Sequence, residues 1–153
     1  WKGAVVVVNK WDLMRKTEVS AADFTRIVRQ QLKFMPYAPL IFVSAKQRLN
    51  VDLILPLVRQ VHESRNTRVP TSALNQAINR AVMDHAPPSV KGKRLKVFYV
   101  TQADVNPPTF VFFVNDPRLL HFSYERYLEN KLRENFGFEG TAIRLIFRKR
   151  SEE

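Results

Sequence analysis

The chain of 153 residues sets 25 Lys and Arg against 14 Asp and Glu, a formal net charge of +11, so its natural partners are polyanions, nucleic acid first among them. It contains no cysteine, which excludes disulfides, thiolate metal sites and thiol redox chemistry. No apolar run approaches the roughly 20 residues of a membrane span, and the three histidines, His62, His85 and His121, lack the spacing of a metal site. The positive excess is shared by both halves of the sequence and is not a basic tail.

Val5-Val6-Val7-Val8 reads as a strand buried on both faces, as in a parallel sheet. It delivers Asn9-Lys10-Trp11-Asp12, an N-K-x-D loop, at the carboxyl end, where open α/β sheets bind ligands. An ionised aspartate only accepts hydrogen bonds. Guanine offers N1–H and the exocyclic N2 amine side by side and adenine has neither donor there, so Asp12 selects guanine in this reading. The Lys10 stem covers the purine, the Asn9 amide ties the loop to its neighbours and to the base, and Trp11 occupies the free position. The bland alternative makes Asn9 and Asp12 helix caps.

Next, Ser20-Ala21-Ala22-Asp23 opens a helix with Asp in place of the Glu or Gln of a capping box, expected to run to about Phe34. Pro39-Leu40-Ile41-Phe42-Val43 is a second buried strand, followed by Ser44-Ala45-Lys46. This string resembles the S-A-K element that GTPases place against the same base, and the resemblance implies that the Ala45 backbone N–H meets guanine O6. Asn50 and Asp52 are cap candidates for a helix through Leu53, Ile54, Leu57, Val58 and Val61, with Pro56 tolerated near its first turn. These pieces form the closing βαβα of a doubly wound sheet. No G-x-x-x-x-G-K-[ST] phosphate loop occurs anywhere, so the phosphate-binding half and the Mg²⁺ ligands are expected upstream of Trp1, with this chain as a fragment that alone does not hydrolyse nucleotide.

Glu63–Arg68 is polar and precedes Pro70, and reads as a linker between residues 1–66 and a second unit at 67–150, with 151–153 as a tail. Thr71 or Ser72 caps a helix with Leu74, Ile78, Ala81 and Val82 on one face. A basic turn, Lys91-Gly92-Lys93-Arg94, leads to strands at 95–101 and 109–115, separated by a polar loop and paired antiparallel. Ser123 caps a helix whose Tyr124, Leu128, Leu132 and Phe136 form a stripe. Gly137-Phe138-Glu139-Gly140 ends it, and a last alternating strand covers 141–147. The order αββαβ gives a small α+β layer with its helices on one sheet face.

Thr101-Gln102, Pro107-Pro108-Thr109-Phe110, Phe113-Val114-Asn115, His121-Phe122-Ser123-Tyr124, Arg126-Tyr127-Leu128-Glu129-Asn130 and Phe138-Glu139-Gly140-Thr141 resemble the C-terminal part of the Der (EngA) GTPase family. The resemblance covers the whole chain. It implies the end of the second GTPase domain of a P-loop GTPase followed by a KH-like domain. It also implies GTP and GDP as ligands with Mg²⁺ held only by upstream residues, and the large ribosomal subunit, ribosomal RNA and the upstream GTPase domains of the same protein as partners. No membrane partner is implied, and the setting is cytoplasmic in bacteria or in organelles. The guanine-site residues carried over are Asn9, Lys10, Asp12, Ser44, Ala45 and Lys46. Where the family has glycines after its S-A element, Lys46–Asn50 has none, which leaves the conformation of that loop open.

The KH clamp is a G-x-x-G loop between two helices. The one such string here, Gly137 to Gly140, precedes the last strand and reads as a helix C-cap, so contact with RNA is expected through phosphates rather than base edges. The candidate contacts are Lys91, Lys93, Arg94, Arg126, Arg133, Arg144, Arg148, Lys149 and Arg150. Phe110, Phe112 and Phe113 read as core. The alternative function is an RNA-binding or docking module without nucleotide chemistry.

Overall fold

In the computed structural model, residues 2–16 and 19–150 are described, the side chains of Arg15 and Lys16 excepted; the tail expected at 151–153 lies outside the described residues. The chain divides into two compact units, Trp1–Arg65 with Glu139–Ala142, and Asn66–Phe138 with Ile143–Glu153.

In the first unit β1 (Val6–Val8) and β2 (Leu40–Phe42) pair parallel, Val6 opposite Leu40 and Val8 opposite Phe42. The connection between them is a 3-10 turn at Trp11–Lys16 and α1 (Ala21–Gln31). Ser20 caps α1 as expected: its Oγ accepts from Asp23 N at 3.1 Å, while its hydroxyl donates to the Asp23 carboxylate at 2.7 Å. The helix stops at Gln31, short of Phe34, because Leu32 N–H closes the last helical bond to Val28 and Arg29 Nη1 ties the carbonyls of Pro36 and Ala38 into the turn that follows.

Asn50 does not cap with its side chain. It stands in the left-handed region, and its Nδ2 donates to Phe42 O at 2.9 Å. A 3-10 turn, Val51–Leu53, then leads into α2 (Ile54–Arg65), which places Pro56 in the first turn, where a missing N–H costs no helical bond.

Trp11, expected to be the free position of its loop, is instead packed: its ring sits 4.3 Å from Phe42 and 5.7 Å from Phe24, and these two lie 6.0 Å apart. Gly140 closes the unit. Its N–H donates to Tyr37 O and its carbonyl accepts from Ala4 N, with φ of +73° and room for no side chain, since a Cβ there would stand 2.2 Å from a Val61 methyl.

The second unit holds α3 (Thr71–Asp84), a hairpin of β3 (Ser89–Val90) and β4 (Lys93–Arg94), then β5 (Val97–Val105), β6 (Pro108–Val114), α4 (Phe122–Phe136) and β7 (Arg144–Lys149). The expected αββαβ order is present with the hairpin added. β5 and β6 pair antiparallel; β6 and β7 pair parallel, as a helical crossover between them requires.

Several boundaries differ from the sequence reading. Helix α2 runs to Arg65, so the linker is shorter than Glu63–Arg68, and neither Thr71 nor Ser72 caps α3, whose first turn is preceded by Pro70. The expected polar loop between β5 and β6 is a turn at Asn106-Pro107, the strands extending to Val105 and from Pro108. His121 rather than Ser123 caps α4, its Nδ1 accepting from Ser123 N at 3.3 Å.

Leu74, Ile78, Val100, Phe110, Phe112, Val114, Tyr124, Leu128 and Leu132 form one buried cluster between the helices and the inner face of the sheet. Burial, with Tyr127 nearby, pushes the Tyr124 phenol up to about 12, and it donates to His85 O at 2.9 Å. Two side-chain amides finish the edge of β5. Asn75 accepts from Val100 N and donates to Val100 O, covering a backbone pair left open at the sheet edge. Gln102, 7% exposed, accepts from Val69 N at 2.8 Å and donates to Thr67 O at 3.0 Å.

Phe112, with no exposed surface, should cost about 3–5 kcal/mol when cut to Ala. Phe122, 67% exposed, should cost less than about 0.5 kcal/mol. Denaturant midpoints of the two variants check this, and equal losses would mean the inner face has been misassigned.

Candidate guanine-recognition site

Because β1 and β2 run parallel, both carboxyl ends emerge on the same side, and the loops that follow them meet. The strand pair is extended into the loops by Val43 N donating to Val8 O at 2.8 Å and Trp11 N donating to Val43 O at 2.9 Å. Asn9 Oδ1 then accepts from Lys10 N at 2.7 Å and from Ala45 N at 3.1 Å. Ser44, fully buried, donates its hydroxyl to Asp12 Oδ1 at 2.5 Å and accepts from Gln47 N at 3.2 Å.

The structure thus brings Asn9, Asp12, Ser44 and Ala45 into one hydrogen-bonded group. Asp12 is half-buried, and its Oδ1 accepts from Ser44. Lys10 and Lys46 are exposed at its margin. The Ala45 N–H, expected to meet a purine carbonyl, donates to Asn9 Oδ1 instead.

Lys10 stands at φ +63°, a conformation L-residues avoid at roughly 1–2 kcal/mol. Such strain persists where surrounding bonds over-determine it. The loop after Ser44 manages without glycine in the same way: Arg48 and Asn50 both sit at φ +56°, and Ser44 and Leu49 exchange backbone bonds of 3.1 and 3.0 Å to close it. Neither the left-handed Lys10 nor the anchoring role of Trp11 carries a sequence signal beyond the motif itself.

In the second unit, Lys91 and Gly92 occupy a two-residue turn with both φ positive, +50° and +76°, the geometry that matches strand twist, and Lys91, Lys93 and Arg94 are exposed on this hairpin. Asn115 joins the hairpin to the sheet end: Nδ2 donates to Arg94 O at 3.0 Å and Oδ1 accepts from Lys96 N at 2.8 Å. Arg148, Lys149 and Arg150 reach this same end, since Lys149 stands opposite Val114 and Arg150 N donates to Val114 O.

Arg144 lies at the other end of β7, opposite Thr109, and Arg126 is exposed on α4, so neither joins the group. Arg133 departs from the expectation of a phosphate contact. Its side chain is 17% exposed, and the guanidinium is bonded to Glu129 Oε1 at 2.8 Å and to Phe138 O at 2.9 Å, where it holds the end of α4. Lys96 belongs to the cationic group and was missed, being single between two apolar positions. Among the described residues no helix is long and apolar enough to cross a membrane.

Fold and site together define a mixed α/β chain in which two loops are cross-linked by side-chain hydrogen bonds and a second, α+β unit carries a basic sheet end. Residues 68–148 match the family described as the KH-domain-like, C-terminal part of EngA bacterial GTPase enzymes. The chain is 51% identical over 150 residues to the GTPase Der of Alkaliphilus metalliredigens, covering 98% of this chain and 34% of that protein. It is 52% identical over 151 residues to that of Moorella thermoacetica, with 99% and 34% covered, and 49% identical over 150 residues to that of Brevibacillus brevis, with 98% and 34% covered. The chain belongs to the EngA (Der) GTPase family. It spans about a third of the length of the curated relatives it matches.

Removing the Ser44 hydroxyl should show whether it holds the site together. Ser44→Ala strips a buried donor and acceptor at once and should cost about 1–3 kcal/mol, read as a lower denaturant midpoint for the first unit. An unchanged midpoint would mean the two loops are held by the strands alone.

Proposed function

We propose that the protein containing this chain binds and hydrolyses GTP, and that the present residues supply the base-recognition half of the site. What supports this most directly is the Ser44 hydroxyl on Asp12, because it orients a carboxylate that accepts only, with one oxygen left to meet adjacent N–H donors. Guanine presents that donor pair and adenine does not. Asn9 accepts from both loops and holds them together; in this reading the Lys10 stem covers the ring and Ala45 N–H is the donor on the carbonyl side, shared with Asn9. The sequence contains no phosphate loop, so phosphates and Mg²⁺ fall to other parts of the longer protein, in keeping with relatives named GTPase Der. This chain alone does not turn over GTP in this account.

The cellular role we infer is assembly of the large ribosomal subunit in the bacterial cytoplasm, with the second unit meeting ribosomal RNA and the upstream GTPase domains as its neighbours. The supporting observation is the cluster of Lys91, Lys93, Arg94, Arg148, Lys149 and Arg150, exposed and converging on one sheet end. Such a surface binds phosphates with steep salt dependence and little sequence preference.

Asp12→Asn in the intact protein replaces an acceptor by a donor. GTP should weaken and xanthosine triphosphate, whose C2 carbonyl accepts, should strengthen, the preference moving by roughly 10⁴-fold. Equilibrium titration with both nucleotides checks this, and an unchanged preference removes Asp12 from the site.

A further inference from the structure

The two faces of the β5–β6–β7 sheet differ in chemistry. Val100, Phe110, Phe112 and Val114 face the helices and are fully covered. The residues alternating with them point the other way, and one register row there reads Tyr99, Phe113, Arg148. The Tyr99 and Phe113 rings stack at 4.3 Å with 16° between their planes, and Tyr99 is 42% exposed.

A bulge between Val97 and Tyr99 adds Phe98 to this end of the sheet, its ring flanked by Lys96 Nζ at 5.3 Å and the Arg150 guanidinium at 5.1 Å. Arg150 is two residues beyond Arg148 and therefore on the same face. The sheet thus presents a stacked aromatic pair with Tyr99 42% exposed, Arg148 in the same row and Arg150 two residues further on, a surface that a partner can cover.

Charge decides what that is. The rows Tyr99–Phe113–Arg148 and Thr101–Val111–Ile146 contain no carboxylate. The acid next to this end, Asp116, is already bound through both oxygens by Arg118, at 3.0 and 2.8 Å. The exposed part of the Tyr99 ring can take a flat ring, and the neighbouring guanidinium and ammonium groups can take the phosphates of a nucleotide chain. A duplex keeps its base faces stacked inside, so only unpaired nucleotides meet both requirements.

We propose that this outer sheet face is a binding site for single-stranded RNA, with an unpaired base stacked on Tyr99 and its flanking phosphates on Lys96, Arg148 and Arg150. The site rests on the reading that the second unit meets RNA, and adds to its phosphate contacts a base-face contact that is indifferent to sequence. Phe110 and Phe112 are core, as the sequence suggests, while Phe113 belongs to the platform.

The test uses the full-length protein and three labelled probes of equal length: oligouridylate, an RNA duplex, and an oligomer with abasic sites in place of bases. Wild type should bind oligouridylate about tenfold or more tighter than either of the others. Tyr99→Ala should lose roughly five- to hundredfold in oligouridylate affinity, the range of one base stack, with abasic binding and salt slope unchanged, and Tyr99→Trp should restore it. Arg148→Gln should weaken every probe and flatten the salt slope by about one.

Equal affinity for the three probes, or a Tyr99→Ala variant that binds oligouridylate like wild type, overturns the stacking site and leaves phosphate contact standing. Failure of wild type to bind any of the three removes the RNA reading as well. A Tyr99→Ala variant that keeps its RNA affinity but loses association with a protein partner overturns the proposal in favour of a protein interface.

Discussion

The hydrogen bonds that join the Asn9–Asp12 loop to the Ser44–Ala45 loop are the constraint on which the nucleotide reading depends, and they exist because β1 and β2 are parallel. In an antiparallel pair the two loops would leave from opposite ends. Parallel pairing puts residues 32 and 36 positions apart in the chain within hydrogen-bond reach, and the ties then fix side chains rather than merely backbones. Asp12 is held by a hydroxyl that is itself buried and fixed by Gln47 N–H, so little rotamer freedom remains for a ligand to quench. Recognition by such a group loses less entropy on binding than recognition by a free carboxylate.

The same region carries the unit's backbone strain. Lys10, Arg48 and Asn50 all adopt left-handed conformations, and a glycine would be the easier choice at each. Each is locked by a neighbouring contact: Trp11 against Phe42 beside Lys10, the Ser44–Leu49 exchange around Arg48, and the Asn50 amide on Phe42 O. Phe42 therefore serves both loops, its ring on one side and its carbonyl on the other. This explains why a loop without glycine still reaches the turn that the S-A-K element needs.

Much of this was legible in the sequence for a physical reason. Periodicity located the buried faces of α3 and α4 and the strands of the core, and the N-K-x-D and S-A-K strings named residues that the structure hydrogen-bonds into one group. The differences arise where a partner that hydrophobic periodicity does not name decides the outcome. Arg133 reads as a helix-surface cation by its place on α4, but Glu129 four residues earlier is an i,i+4 partner for it, and Phe138 O past the helix end takes another of its N–H groups. Trp11 looked free because its partners Phe24 and Phe42 lie on other elements. Helix starts at Thr71 and Ser123 were misjudged because Pro70 and His121 hold those turns. Phe113 was grouped with Phe110 and Phe112 by composition, although strand alternation sets it on the opposite face from Phe112.

Inosine diphosphate offers the most direct test of the central claim, that Asp12 with its Ser44 partner reads the paired donors of guanine. It matches guanosine diphosphate in everything but the exocyclic N2 amine, so competition between the two on the unmodified intact protein isolates that one donor. The account predicts guanosine diphosphate to win by about tenfold or more, the cost of leaving a hydrogen-bonded, charged acceptor short of one donor. Equal affinity for the two would contradict it.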